Sequence, residues 1–487
     1  MRTAISSESA NRVARLPATV HHIHLLGIGG TAMAALAGML VERGFHVTGS
    51  DGPIYEPTAS LLRDLKVGIK SPFNSSNLFP APDAAIVGNV ITRDNVEAAA
   101  LLESSIPYLS MPEAIAHFFL NDRRVLMVTG THGKTTSTAM MAHVLERAGR
   151  GPSMMVGGLA KNFASNYRLG SGPEFVVEGD EYDTAFFDKG PKFLHYGAEG
   201  AIITAVEFDH ADIYRDLDHV KSSFRALAER MDSRCVLAVS ADSADAIEVS
   251  AASKARRLTF GLANGEFRAS DICFDSHGAR FHVSRGNARV SGEILLPLTG
   301  RMNVANALGV YVLLQASGID GARIEGGFAT FAGVSRHQEI VGEVRDITVV
   351  DDFAHHPTAI RATLEAVAER FAGRRIVAAF EPRSNTSRRR VFQDAFAAAF
   401  DRAAQVYIAP VFFKGNDPIP TAERLSVDQL VEAIRLRGPA AAACSSNDEL
   451  RRMILDDIQS GDVVVCMSNG AFERMPGRIV EALKTCD

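Results

Sequence analysis

Three segments of the chain repeat one pattern, in which a short apolar run leads through a turn into a further element. The apolar runs are His22–Leu26, Val125–Val128 and Arg375–Phe380. After the first two, Ala32–Val41 and Ser137–Arg147 have helical spacing, whereas a polar, arginine-rich loop follows the third run. Because strands that alternate with helices form parallel sheets through crossover connections, the pattern predicts an α/β fold.

Two polar breaks divide this pattern, at Asn121–Arg124 before the second run and at Gly333–Arg336 before a strand that ends at Asp352. Between them, a stretch from about 265 to 299 alternates apolar and polar side chains and predicts a β-rich insert. A chain of 487 residues also exceeds the roughly 250–300 residues at which one hydrophobic core stops growing. We therefore predict three domains, at residues 1–120, 121–335 and 336–487.

Composition narrows the function classes. An apolar fraction of 46% is ordinary for a globular protein, and a net charge of -6 gives no basic face for nucleic acid. No apolar run approaches the roughly 18 residues of a membrane helix, and the first twenty residues do not form a secretory signal. The five cysteines are scattered without a CxxC pair, which argues against a disulfide framework or a zinc site. We predict a cytoplasmic protein without nucleic-acid or membrane partners.

A phosphate-binding loop follows the second strand, in the sequence TGTHGKTT of Thr129–Thr136. Glycines let backbone N–H groups face phosphate oxygens at a helix N-terminus, where the helix dipole also favours anions. Lys134 would reach the β- and γ-phosphates, and the Thr135 hydroxyl would contact Mg²⁺. The match to GxxxxGK[ST] is incomplete, because Val128 stands at the first glycine position and Gly130 is the one upstream glycine.

Two acid-rich segments come directly after strands downstream of this loop. One is Glu178–Asp183 in the sequence EGDEYD, and the other is Glu207–Asp212 in the sequence EFDHAD. Taken alone, an acidic run is often a solvated loop, and a lone histidine such as His210 is usually structural. Magnesium, however, prefers carboxylate oxygens together with phosphates and water, so two such segments near a phosphate loop favour a metal site.

Five motifs in order, TGTHGKTT, EGDEYD, EFDHAD, GRMNVAN and DDFAHHP, resemble the Mur ligase superfamily of peptidoglycan synthesis. The resemblance extends from about residue 20 to about residue 480, and five ordered motifs are far more specific than one. It implies an α/β enzyme with an N-terminal Rossmann-like UDP-binding domain, a central P-loop ATPase domain and a Rossmann-like C-terminal domain that closes over the site. It also implies ATP-dependent amide ligation with Mg²⁺, and two ions are expected.

Within the superfamily, the sequence is more similar to the ligases that attach the recycled tripeptide L-Ala-γ-D-Glu-meso-diaminopimelate to UDP-N-acetylmuramate. The segments Glu181–Lys189, Glu207–Asp212 and Glu381–Phe392 carry this likeness, and Tyr182 stands where L-alanine-adding ligases typically have serine. The implied substrates are therefore UDP-N-acetylmuramate and the tripeptide, joined through an acyl phosphate. Ligation of L-alanine to UDP-N-acetylmuramate is the alternative.

The resemblance assigns residues to the nucleotide and metal sites. Lys134, Glu178 and His210 are expected to be catalytic, and Thr135, Glu178 and His210 to hold metal. The residues expected to bind ATP are Gly130, Thr131, His132, Gly133, Lys134, Thr135, Thr136, Asn303, Asn306, Arg336 and Asp352. Two departures affect single contacts, because Met302 replaces a usual histidine and Ala205 a usual asparagine.

The first domain carries Gly27-x-Gly29-x-x-Ala32 with Asp51 about twenty residues on, a spacing that alone suggests NAD as readily as UDP. Beside a P-loop unit, a UDP-sugar is the better interpretation. The residues expected to bind UDP are Gly27, Gly29, Gly30, Thr31, Ser50 and Asp51. A nicotinamide-dependent oxidoreductase and a P-loop switch or motor ATPase are the alternatives from other functional classes.

Peptide recognition is expected in the C-terminal domain. Arginine can hold a carboxylate in a bidentate fork, which suits a peptide with several carboxylates, although an arginine run can also be a solvated surface. The residues expected to bind peptide are Arg383, Ser384, Asn385, Arg388, Arg389, His355 and His356.

Overall fold

The computed structural model describes residues 7–56, 58–412 and 419–485, in which three large sheets follow one another along the chain. Each sheet is mostly parallel and carries helices between its strands, which confirms the predicted α/β class. Within the described residues, no helix is both long and apolar enough to cross a membrane. The described cysteines are free, and Cys486 lies outside the described residues.

The first sheet has five parallel strands, and β1 (His22–Leu26) occupies its centre. The other strands are β2 (His46–Ser50), β3 (Gly68–Lys70), β4 (Ala84–Val87) and β5 (Tyr108–Ser110). They pair in the order β3-β2-β1-β4-β5, so the strand order reverses at β1, where α/β proteins bind ligands beyond the strand ends. Its helices are α1 (Ser7–Val13), α2 (Thr31–Glu42), α3 (Thr58–Asp64), α4 (Val96–Glu103) and α5 (Met111–Ile115), with a π-helical turn at Ala116–Leu120.

The second sheet has eleven strands around β6 (Arg124–Thr129), the strand before the phosphate loop. The strands that follow are β7 (Ser153–Ala160), β8 (Ser165–Arg168), β9 (Glu174–Gly179), β10 (Asp183–Ala185), β11 (Asp188–Pro191), β12 (Gly200–Ile203), β13 (Val236–Ser240), β14 (Arg256–Gly261), β15 (Phe267–Asp275), β16 (Gly278–Arg285), β17 (Ala288–Arg289) and β18 (Ile294–Leu296). The order is β17-β16-β15-β14-β13-β12-β6-β9-β7-β8, with β18 beside β16, while β10 and β11 form a separate hairpin. The antiparallel strands β15–β18 occupy the predicted β-rich insert.

Helices cover this sheet and place the phosphate loop. They are α6 (Lys134–Arg147), α7 (Leu217–Arg230), α8 (Ala244–Ser250), α9 (Arg301–Ala316) and α10 (Gly321–Phe328). The helix after the phosphate loop begins at Lys134 and not at the predicted Ser137, because the end of the loop forms its first turn. Strands β6, β9 and β12 lie side by side and parallel, so the phosphate loop and the two acidic segments leave the same edge of the sheet.

The third sheet has six strands, which pair in the order β19-β20-β24-β21-β22-β23. These strands are β19 (Glu339–Val344), β20 (Ile347–Asp352), β21 (Ile376–Phe380), β22 (Gln405–Ile408), β23 (Ala440–Ala443) and β24 (Val463–Met467). Its helices are α11 (Pro357–Arg370), α12 (Gln393–Ala399), α13 (Val427–Arg437), α14 (Asn447–Asp457) and α15 (Met475–Thr485). All pairs are parallel except β19 with β20.

A hairpin of the second sheet holds the first sheet in place. Tyr167 on β8 is buried against Gly38 of α2, so closely that a Cβ on Gly38 would lie 2.3 Å from the Tyr167 hydroxyl oxygen. The side-chain amide of Asn166 donates to the backbone oxygen of Thr31, at 3.3 Å. A second contact comes from the β10–β11 hairpin, where the ring of Phe187 meets the ring of Tyr108 edge-on, with centroids 5.0 Å apart.

The substitution Gly38→Ala tests the Tyr167 contact. Inserting a methyl group into a tightly packed contact costs about 1–3 kcal/mol, which should exceed the gain in helix propensity of about 1 kcal/mol. We expect a lower free energy of unfolding for this variant, measured by urea denaturation. The matched control is Gly326→Ala in α10, where an added Cβ meets no atom within 4 Å. If both variants are equally stable, the packing of α2 against β8 is looser than described.

Candidate active site

The phosphate loop is shaped by two glycines in the left-handed region of backbone conformation. Gly130 has φ +124° and Gly133 has φ +77°. A Cβ on Gly130 would lie 2.2 Å from the Thr204 hydroxyl oxygen, and one on Gly133 would lie 2.3 Å from Oδ1 of Asn306. The loop therefore lies against the end of β12 and against α9, where it leaves no room for other side chains.

Lys134, the first residue of α6, is in a buried ion pair. Its Nζ lies 3.0 Å from Oε1 and 2.9 Å from Oε2 of Glu181, and 2.8 Å from the backbone oxygen of Gly130. Although burial opposes the charged amine, the carboxylates of Glu181, Asp180 and Glu178 raise the pKa of Lys134. Lys134 therefore carries its positive charge at the N-terminus of α6, where phosphates would bind.

Glu181 joins the lysine to the predicted metal residue His210. The Nε2 atom of His210 lies 2.9 Å from Oε1 of Glu181, which is only 3% exposed. Burial raises the pKa of Glu181, but Lys134 and His210 together lower it below its usual value. The Glu181 carboxylate thus contacts both the amine that is predicted to bind phosphate and a candidate metal ligand.

Glu178 supplies the second part of the candidate metal site. Its Oε1 accepts a hydrogen bond from the Thr135 hydroxyl at 2.8 Å, and its Oε2 accepts one from the Gly157 N–H at 2.7 Å. Burial, with the nearby Asp180 carboxylate, raises the pKa of Glu178 to about 7. A hydroxyl and a carboxylate held together where negative charge is in excess form a donor set that fits Mg²⁺.

Lys134, Thr135, Glu178 and His210 line one cavity of about 400 Å³ between the second and third sheets. The predicted residues that line it are Thr131, His132, Gly133, Lys134, Thr135, Thr136, Glu178, His210, Asn303, Asn306, Asp352, His355 and His356. Met302 also lines it, and so does Ala205, whose backbone oxygen accepts a hydrogen bond from the Thr131 N–H at 2.8 Å. Most of the predicted nucleotide and metal residues are therefore together.

The third sheet closes this cavity with the segment after β20. Asp352 accepts hydrogen bonds from the N–H groups of Gln338 and Ala354, at 2.7 and 2.8 Å, and burial raises its pKa to about 6. Burial also lowers the pKa of His356 to about 4. His356 is the N-cap residue of α11, and its Nε2 lies 3.3 Å from the backbone oxygen of Phe208 on the segment after β12.

Arg336 does not line the cavity. Its Nε lies 3.1 Å from Oδ2 of Asp351, and one terminal nitrogen donates to the backbone oxygens of Ser468 and Gly470 at 2.8 and 2.6 Å. Its guanidinium is therefore bound to the third sheet, and contact with ATP would require it to turn.

The arginine-rich loop needs one correction. Arg388, predicted to bind peptide, is 2% exposed, and its guanidinium donates to the backbone oxygens of Ser384 and Phe412 and to Oδ1 of Asn385. A buried guanidinium whose donors hold its own loop cannot also hold a substrate carboxylate, so we remove Arg388 from the peptide set. Its role is to shape the loop.

The other members of the predicted peptide set differ in what their polar groups contact. The Arg383 guanidinium lies 4.2 Å above the Phe412 ring and remains partly exposed. Asn385 is exposed, Ser384 pairs with Ser387 at 2.9 Å, and Arg389 pairs with Glu423 at 3.0 Å. None of these loop residues lines the cavity described above.

The predicted UDP residues meet at the end of β1. The Gly29 N–H donates to Oδ2 of Asp51 at 2.7 Å, Gly27 has φ +81°, and Gly30 precedes α2, which begins at Thr31. A second cavity of about 500 Å³ lies beside these residues, because Gly52, which follows Asp51, is part of its lining. The other lining residues are Pro53, Ile54, Ala59, Arg63, Lys66, Val67, Ile69 and Ser71.

Ser50 requires a second correction. Its side chain is fully buried and donates to Oε1 of Glu97 at 2.7 Å, while His24 contacts the same oxygen at 2.8 Å. Its backbone oxygen accepts from the Gly27 N–H at 2.9 Å. The backbone of Ser50 therefore stabilises the glycine turn, and its buried hydroxyl is bound to Glu97 and does not face a ligand.

Sequence reasoning gave no role to several residues in and beside the cavity. Glu207 and Asp209 line it and Glu181 pairs with Lys134, but nothing in the acidic motifs says which acid contacts the lysine. His337 stacks on Phe353 and lies 3.2 Å from the Thr136 hydroxyl, yet no local pattern marks it.

Comparison with known proteins places these motifs in one family. Residues 22–123 match the Mur ligase family catalytic domain, residues 128–314 the Mur ligase middle domain, and residues 336–470 the Mur ligase glutamate ligase domain. A UDP-N-acetylmuramate–L-alanyl-γ-D-glutamyl-meso-2,6-diaminoheptandioate ligase of Haemophilus influenzae is 38% identical over 468 residues, which cover 95% of this chain and 99% of the relative. A UDP-N-acetylmuramate–L-alanine ligase of Geotalea uraniireducens is 31% identical over 470 residues, 96% of this chain and 98% of the relative.

Two crystal structures have the same fold. A murein peptide ligase of Psychrobacter arcticus is 31% identical, with a TM-score of 0.72 over 96% of this chain and 99% of that one. A UDP-N-acetylmuramate–alanine ligase of Thermotoga maritima is 26% identical, with a TM-score of 0.79 over 96% of this chain and 100% of that one.

The substitution Lys134→Met tests the phosphate loop. Removing one preorganised charge-stabilising group typically costs roughly 100- to 1,000-fold in rate, so we expect a loss of that size in ATP-dependent turnover, with weaker ATP binding by calorimetry. The control is Lys192→Met, because Lys192 is a buried lysine of the same acidic cluster that pairs with Asp180 at 3.1 Å, away from the loop. Full turnover by Lys134→Met would refute the assignment.

The substitution Glu178→Gln tests the excess of buried negative charge. A carboxyl whose pKa is raised on folding, here from 4.5 to about 7, loses its stabilising effect as pH rises between those values. We therefore compare the free energy of unfolding of Glu178→Gln with that of the wild type in metal-free buffer at two pH values. The difference should favour the variant by about 1–3 kcal/mol more at pH 8 than at pH 5.

The control for this experiment is Glu174→Gln. Glu174 is a buried glutamate on the same strand, but its carboxylate pairs with Arg150, whose Nε lies 3.1 Å away. This variant should lose stability at pH 8. A loss of stability for Glu178→Gln as well would mean that burial and the Asp180 carboxylate do not disfavour the ionised form of Glu178.

Proposed function

Because the chain belongs to the Mur ligase family, we propose that it joins UDP-N-acetylmuramate to L-alanyl-γ-D-glutamyl-meso-2,6-diaminoheptandioate. Mur ligases are ATP-dependent enzymes that form amide bonds. The observation that carries the proposal is the single cavity in which the phosphate loop, the acidic strand ends and the C-terminal histidines meet. The Haemophilus influenzae relative supports this choice of acceptor, because its sequence aligns with this chain over almost its whole length.

The proposed reaction has two steps. An oxygen of the muramic lactyl carboxylate attacks the γ-phosphorus of ATP, ADP leaves, and an acyl phosphate forms. The α-amine of the peptide's alanine then attacks the acyl carbon, loses a proton, and expels phosphate as the amide bond forms. Little covalent work falls to the protein, whose task is to align the reactants and balance their charge.

Specific residues would do this work. Lys134 faces the phosphates with a fixed positive charge, and its contact with Glu181 is exchanged for contact with ATP. Asn303 and Asn306 would recognise adenine, and Asp352 the ribose. Two Mg²⁺ ions, held by Thr135, Glu178 and His210, would supply charge neutralisation for the transferring phosphoryl group.

The remaining assignments follow the architecture. We propose that UDP binds at the end of β1 through Gly27, Gly29, Gly30, Thr31 and Asp51, and that the domains divide near residues 120 and 335, between the three sheets. We further propose a cytoplasmic location.

Peptide recognition would fall to the exposed part of the arginine-rich loop. Arg383 and Asn385 present polar groups at the surface, whereas Arg388 is buried beneath them. His355 and His356 line the cavity, which supports a role for them in orienting the acceptor amine towards the acyl phosphate.

Ligation of free L-alanine is the second candidate. It is favoured by the Thermotoga maritima alanine ligase, whose structure superposes on this chain with a higher TM-score than the murein peptide ligase does. The sequence comparison points the other way, because the tripeptide ligase relative is the more identical one.

An acceptor assay separates the two candidates. With ATP, Mg²⁺ and UDP-N-acetylmuramate present, ADP release should depend on the tripeptide and be at least tenfold slower with L-alanine at equal concentration. Equal or faster turnover with L-alanine would establish the alternative, and ADP release that needs no acceptor would refute ligation itself.

A further inference from the structure

We propose that Thr386, on the loop between β21 and α12, is a positioning residue for His210. Its hydroxyl would hold the backbone of His210 in the conformation that presents the imidazole to a metal ion, so that docking of the third sheet completes the metal site. This inference rests on the proposed metal role of His210.

Hydrogen bonds join the loop after β21, which carries Thr386, to the segment after β12, which carries Asp209 and His210. The Thr386 hydroxyl donates to Oδ1 of Asp209 at 2.5 Å and accepts a hydrogen bond from the His210 N–H at 3.1 Å. The same Asp209 oxygen lies 2.7 Å from the His210 nitrogen. Thr386 is 2% exposed, Asp209 5% and His210 8%, so the arrangement is closed to water.

The backbone of His210 needs this support. Its φ of +53° lies in the left-handed region, which costs a residue with a Cβ of order 1 kcal/mol or more and persists only where surrounding contacts hold it. Two of those contacts, the Thr386 hydroxyl and the Asp209 carboxylate, converge on the same N–H group. Without the hydroxyl, the backbone nitrogen would keep only the bond within its own turn.

Neighbouring contacts join the same two segments. The Asn385 side-chain amide donates to Oδ2 of Asp212 at 2.7 Å, and the ring of Phe392 stacks on that of Phe208 with centroids 5.9 Å apart. The loop that carries Arg383 and Asn385 is thus fixed to the segment that carries His210. It follows that the proposed peptide loop and the metal histidine are positioned together.

The chain offers a matched control for the test. Thr358, also on the third sheet's side, donates its hydroxyl to Oε2 of Glu207 at 2.7 Å across the same junction. Thr358→Val removes a hydroxyl–carboxylate bond between the third sheet's side and the segment after β12, but leaves the His210 backbone contacts in place. Thr386→Val removes both the bond to Asp209 and the bond from the His210 N–H, and Thr386→Ser keeps the hydroxyl.

The experiment titrates Mn²⁺ into each full-length variant with a non-hydrolysable ATP analogue, and counts bound ions by electron paramagnetic resonance. We expect Thr386→Val to bind one ion at least tenfold more weakly than the wild type, and Thr386→Ser and Thr358→Val to stay within threefold. The Mg²⁺ concentration for half-maximal turnover should shift in parallel, and circular dichroism would confirm folding.

Two results would overturn the inference. One is unchanged Mn²⁺ affinity in a folded Thr386→Val, and the other is an equal loss in Thr358→Val, which would assign the effect to docking in general. Mn²⁺ binding needs no acceptor, so the tenfold loss in Thr386→Val supports the inference even if the wild type ligates only L-alanine. A wild type that binds no Mn²⁺ with the analogue would refute both proposals.

Discussion

The buried charge cluster around Lys134 is the constraint on which the rest of the site depends. Three acidic residues, Glu178, Asp180 and Glu181, lie at the end of β9 and directly after it. Lys134 pairs with Glu181, and the three carboxylates together raise the pKa of Lys134 against the effect of burial. The cluster holds more negative charge than its lysines balance, and burial together with the Asp180 carboxylate raises the pKa of Glu178. A site of this kind favours cations beside phosphate, and it is stable only because the fold holds its members together.

The fold provides that constraint through strand order. Strands β9, β6 and β12 are parallel neighbours, so the acidic turn, the phosphate loop and the segment bearing His210 leave the sheet side by side. The third sheet then supplies the remaining wall, with Thr358 on Glu207 and Thr386 on Asp209. The cavity is lined by residues of both sheets, and these two hydroxyl–carboxylate bonds join the C-terminal sheet to the segment after β12.

Local patterns predicted the strands well, because a buried parallel strand is a continuous apolar run. Residues 22–26 were expected as a strand and form β1 with the same bounds. The motifs also predicted which loops converge, since strand ends of a parallel sheet share an edge. They could not predict side-chain direction. Arg383 and Arg388 lie on one loop, yet the Arg388 guanidinium is buried within the loop and that of Arg383 is partly exposed. Thr386 and His210 are separated by 176 positions, so no local signal joins them.

The central claim is that the carboxylate of UDP-N-acetylmuramate is activated by phosphoryl transfer in this cavity. It is tested most directly by labelling both lactyl carboxylate oxygens with ¹⁸O and analysing the released phosphate by mass spectrometry. In the two-step route, one carboxylate oxygen bridges to phosphorus and leaves with it, so each phosphate formed with the tripeptide should carry one ¹⁸O. Phosphate free of the label, with amide product formed, would contradict the acyl-phosphate route.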